Sequence, residues 1–105
     1  MTPGWIFVTA AALTVGIPVP AHAATIQITM DNLVISPAEA SAKVGDTIEW
    51  INKDIFAHTA TARNSDFDVN MPPKKTVTSV LKKPGSIDYY CRFHPNMKAT
   101  LIVAP

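Results

Sequence analysis

Apolar residues recur at every second position in several short stretches of the chain, and Gly, Pro, Asn and Asp interrupt those stretches at frequent intervals. Thr25-Ile26-Gln27-Ile28-Thr29-Met30 alternates polar and apolar side chains, the pattern of a strand with one face buried. Thr47-Ile48-Glu49-Trp50-Ile51-Asn52 does the same and puts Ile48 and Trp50 on one face, just after the turn signal Gly45-Asp46. Further β-rich segments are Ala40 to Val44, His58-Thr59-Ala60-Thr61, Thr76 to Leu81, Ile87 to Cys91 and Ala99 to Val103. Ser36-Pro37 breaks a short run at Val34-Ile35, Pro72-Pro73 excludes a central strand, and Lys82-Lys83-Pro84-Gly85 reads as a turn. Seven to eight short strands with no long helical pattern predict an all-β fold, an antiparallel β-sandwich with Greek-key connections.

Charge divides the chain into two unlike parts. No Asp, Glu, Lys or Arg precedes Asp31, although the 105 residues hold nine Lys plus Arg and eight Asp plus Glu. Residues 5–17, WIFVTAAALTVGI, form an uncharged apolar run. As a helix it would rise roughly 20 Å, short of the roughly 30 Å of a bilayer core. Pro18-Val19-Pro20 stops it, and Ala21-His22-Ala23 is a small-x-small triplet of the kind signal peptidase cuts after. Residues 1–23 therefore read as a cleavable export signal and residues 24–105 as the working domain, periplasmic or otherwise exported. The signal has only the α-amino group of Met1 as a positive charge, so either it is weak or the true start lies upstream.

Removing residues 1–23 of 105 leaves 82, enough for one small domain whose core alone gives marginal stability. A net charge of +1 is no basis for binding nucleic acid. The single Cys closes the route to an internal disulfide, and a bound metal remains open as a staple. The pairs Lys74-Lys75 and Lys82-Lys83 read first as solvated surface beside turns and only secondarily as a docking face.

The chemistry-bearing residues concentrate near the C-terminus, where Cys91, His94 and Met97 follow one another at intervals of three, Cys-x-x-His-x-x-Met, across a turn between two expected strands. A loop can bring such side chains to one point. His58 lies upstream on another expected strand. Taken singly, Cys91 could be a small buried hydrophobe, Met97 a core filler, His94 a turn residue and His58 a satisfied sandwich histidine. Jointly, the only Cys and both His of residues 24–105 fall into one pattern. Two imidazoles, a thiolate and a weak axial thioether suit copper cycling between Cu(I) and Cu(II). Structural zinc sites prefer more thiolates and use no Met, while magnesium and calcium want oxygen ligands.

These residues resemble the small blue-copper proteins, the cupredoxins, of the amicyanin and plastocyanin kind. The tail from Gly85 to Met97 is similar to their ligand loop, and Gly45 to Thr59 is similar to their first-ligand segment. The resemblance implies one copper ion per chain, with His58, Cys91 and His94 as strong ligands and Met97 as the long axial one. It also implies that Asn52 ties the two ligand-bearing segments together, a role that a plain turn residue equally explains. The chain departs from the family's usual residues at Ala57 and Phe93, where Pro is common, at Thr59, where Asn is common, and at Ile87, where a corner tyrosine stands. Phe93, unlike proline, offers a backbone N–H, and a second donor to the Cys91 sulfur is expected from it.

The function these readings favour is single-electron transfer between redox partners that dock transiently near His94, through an apolar ring including Phe93, Pro95 and Met71-Pro72. The chain is expected to be a monomer with no membrane span after signal cleavage, and not an enzyme. One alternative is a copper storage or delivery module. Another is an enzyme using Cys91 with His58 or His94, for which 82 residues leave little room for a cleft.

Overall fold

The computed structural model describes residues 22–105, so the apolar run at 5–17 and the prolines at 18 and 20 lie outside the described residues. Nine strands follow in order: β1 (Thr25–Asp31), β2 (Val34–Ser36), β3 (Glu39–Lys43), β4 (Thr47–Asn52), β5 (His58–Ala62), β6 (Asp68–Met71), β7 (Thr76–Val80), β8 (Gly85–Tyr90) and β9 (Lys98–Ala104). No helix among the described residues is long and apolar enough to cross a membrane.

The strands form two sheets, one ordered β2-β1-β4-β7 and the other β3-β9-β8-β5-β6. The expected β-sandwich is present, with nine strands and with mixed rather than wholly antiparallel sheets. β1 lies parallel to β4, with Thr25 opposite Thr47 and Met30 opposite Asn52. β3 lies parallel to β9. Parallel neighbours require a crossover. Residues 32–46 supply one by carrying the chain through β2 in one sheet and β3 in the other before it returns as β4. β2 and β6, of three and four residues, are too short to show a clear period of two.

Alternation sets the core. Ile28 and Met30 of β1 and Ile48 and Trp50 of β4 are fully buried, as are Ala60, Tyr89 and Leu101 of the other sheet. Trp50 meets the edge of Tyr89 at 5.4 Å between ring centroids and Phe67 at 5.8 Å, and its Nε1 donates to Ser79 Oγ at 2.9 Å. The inward face of β4 runs Ile48, Trp50, Asn52, so the same period that builds the core delivers a buried amide to one end of the sandwich. β5 begins at that end with His58. β8 pairs antiparallel with β5, Tyr90 opposite Thr61, so Cys91 leaves β8 toward the same end.

Candidate metal centre

The loop between β8 and β9 consists of two successive turns. His94 N donates to Cys91 O at 3.2 Å, and Met97 N donates to His94 O at 2.8 Å. Each is an i to i+3 closure, which is why three candidate donors spaced by three can sit on one short loop. Cys91 N donates to Met97 O at 3.0 Å and closes the whole loop before β9 begins.

Three donor atoms converge here. One ring nitrogen of His58, one of His94 and Cys91 Sγ all lie within 4.8 Å of one another. His58 Nδ1 is 3.6 Å and His94 Nδ1 3.8 Å from the sulfur, and the two imidazole rings meet at 5.1 Å and 71°. Cys91 and His58 are buried, whereas His94 is half-buried. Met97, on the same loop, is buried with the core.

Thr59 joins the start of β5 to the loop after β8. Its N–H points at Cys91 Sγ at 3.4 Å, and its hydroxyl accepts from Arg92 N at 2.9 Å. Asn52 does something different from what the resemblance implies: it organises the loop leading into His58. Its Nδ2 donates to the carbonyls of Phe56, Met71 and Pro72 at 2.8, 3.0 and 3.2 Å, and its Oδ1 accepts from Asp54 N at 2.9 Å. Phe93 N is not among the donors to the sulfur, so the expected second N–H contact is not made; Thr59 N is the backbone donor there.

Asp54 is a participant that the sequence reading passes over. Its Oδ2 lies 2.8 Å from His58 Nε2 and accepts from Leu33 N at 3.0 Å, while Oδ1 accepts from Asn32 N at 2.7 Å. Burial pushes this carboxyl up, but the hydrogen bonds from His58, Leu33 and Asn32 outweigh it and hold the group below its usual range. Its signal in the sequence was slight, a carboxylate four residues before a histidine.

The rim around His94 is apolar. The Phe56 ring lies 6.0 Å from the His94 ring, and Ile55, Phe56 and Phe93 are each at least half exposed. Pro72 and Pro95 are also exposed, but Met71 is buried and belongs to the core rather than to the rim.

The chemistry of the donor set fits copper: one buried cysteine sulfur, two imidazoles presenting Nδ1, and a loop methionine. The cupredoxin-like domain family model matches residues 4–103. The chain belongs to the cupredoxin family. Methylamine utilization protein MauL of Methylorubrum extorquens is 29% identical to this cupredoxin over 89 residues, covering 81% of the chain and 78% of MauL. Amicyanin of Paracoccus versutus is 28% identical over 91 residues, covering 81% and 67%. The amicyanin crystal structure superposes with a TM-score of 0.64 at 26% identity, covering 81% of this cupredoxin and 84% of amicyanin. A copper-containing nitrite reductase from Thermus scotoductus shares the fold with a TM-score of 0.69 at 23% identity; the chain covers 22% of its length, and 76% of the chain is matched.

Proposed function

We propose that this cupredoxin is an electron carrier in which His58, Cys91, His94 and Met97 hold one copper ion. The observation that carries this reading is the convergence of two Nδ1 atoms on a single buried sulfur at one end of a rigid sandwich. Copper bound there would supply a one-electron couple between Cu(I) and Cu(II). The protein's part is to hold the donors in place and keep water away. His58 and Cys91 are fixed by β5 and by Thr59, and burial excludes solvent from the sulfur. His94, half-buried behind Phe56 and Phe93, is where an electron enters or leaves, and those exposed rings form a small apolar face for a transient redox partner.

Residues 1–23 act as the export signal in this reading, with cleavage after Ala23. Ala24 N lies 2.9 Å from Asp46 Oδ1, so cleavage would place a new α-ammonium against a carboxylate at the start of β1.

The test is to cycle copper-loaded protein between a mild reductant and a mild oxidant in the presence of a Cu(I) chelator. An electron carrier bleaches and recovers its colour with copper retained. Loss of copper to the chelator on reduction would contradict the proposal and favour copper delivery.

A further inference from the structure

The geometry points to Asp54 as a positioning residue that fixes the tautomer of His58 and biases the centre toward its oxidised state; this rests on the copper reading above. An ionised carboxylate has acceptors only. Asp54 faces Asn32 N, Leu33 N and His58 Nε2 within 3.0 Å, and its side chain is only 10% exposed. A neutral imidazole carries a single ring proton, and the carboxylate draws that proton to Nε2. The lone pair of His58 Nδ1 is thereby left bare on the side that faces Cys91 Sγ. Without Asp54 the ring could hold its proton on either nitrogen, and one of the two tautomers would present N–H to the metal.

The carboxylate is itself held by the turn between β1 and β2. Asn32 and Leu33 both adopt left-handed conformations, φ 55° and 62°, in a two-residue hairpin closed by the Asp31–Val34 pair. Successive N–H groups in such a turn can face one anion. A leucine at positive φ is uncommon and costs conformational energy. Its N–H bond to Asp54 offsets that cost and gives the turn a role at the site.

A carboxylate on the outer nitrogen makes the imidazole a stronger donor and adds negative charge near the metal. Both effects favour the more highly charged ion. Replacing Asp54 by Asn keeps an oxygen for His58 Nε2–H but removes the charge. Asp54→Asn is expected to lower Cu(II) affinity about tenfold relative to Cu(I), the low end of the range for losing such a partner, which raises a one-electron midpoint potential by about 59 mV. The visible band should persist.

Two measurements test this. Voltammetry of copper-loaded parent and Asp54→Asn should show the upward shift. Equal potentials, with only the unfolding midpoint of the metal-free protein lowered, would make Asp54 merely structural and overturn the inference. Proton–nitrogen correlation spectra of the metal-free parent should find His58 as the Nε2–H tautomer, and an Nδ1–H tautomer would overturn it even if the variant fails to fold. A parent that binds no copper would defeat the copper reading, while the tautomer spectrum would still decide whether Asp54 positions His58.

Discussion

Thr59 holds both ends of the site at once, its N–H at the Cys91 sulfur and its hydroxyl under Arg92 N. Thr59→Val keeps the shape and the N–H but removes the hydroxyl acceptor. It should lower the stability of the metal-free protein by about 1 kcal/mol, read as a lower urea midpoint at unchanged slope. At this scale the sequence was informative where chemistry and spacing coincide. Cys91, His94 and Met97 stand at successive turn closures, and His58 is the other histidine of residues 24–105. It was uninformative where a partner is chosen by tertiary approach. The spacing of four between Asp54 and His58 is only a slight sign that this carboxylate, among eight Asp and Glu, would face an imidazole, and its other partners come from a turn 21 and 22 residues away. Thr59 was legible as a departure from the family's Asn, but the link its hydroxyl makes, the one expected of Asn52, was not.

Between elements, Asp46 is an electrostatic tie. Its Oδ1 accepts from Ala24 N and its Oδ2 from Lys43 N, both at 2.9 Å, joining the starts of β1 and β4 to the end of β3. These backbone hydrogen bonds, that from Ala24 foremost, hold its carboxyl below its ordinary value near 3.8, against the opposing effect of burial. The unfolded chain therefore takes up this proton at higher pH than the folded one. The contribution of Asp46 is complete above about pH 4 and disappears as pH falls through the lowered folded value. Thermal unfolding of the parent and Asp46→Asn should differ at neutral pH, and the two should draw together in acid. A difference independent of pH would contradict this account. The strands themselves were legible wherever the period of two ran for five or more residues, as in β1, β4 and β9. Gly45-Asp46 was legible as a turn, but the reach of its carboxylate to Ala24 was not, because that depends on the parallel pairing of β1 with β4.

At the scale of the molecule, Trp50 is the largest side chain buried between the sheets among the described residues, in contact with Tyr89 and Phe67. Trp50→Ala should cost about 3–5 kcal/mol. That is a large share of the stability of a small domain, and the loss should appear in both metal-free and copper-loaded protein. The sandwich was legible from alternation and turns, but the crossover that makes each sheet mixed was not, since strand neighbours in space are set by packing of the complete chain rather than by any local pattern. In the proposed carrier, a net charge of +1 and an apolar rim of Phe56 and Phe93 beside His94 would favour partner contact through a small apolar face over a strong field. Copper binding through the Cys91 sulfur is tested most directly by the visible absorption spectrum of the copper-reconstituted protein beside Cys91→Ser. The parent should show an intense blue thiolate-to-copper band that the variant lacks. A parent that binds copper without this band, or a variant that keeps it, would contradict the account.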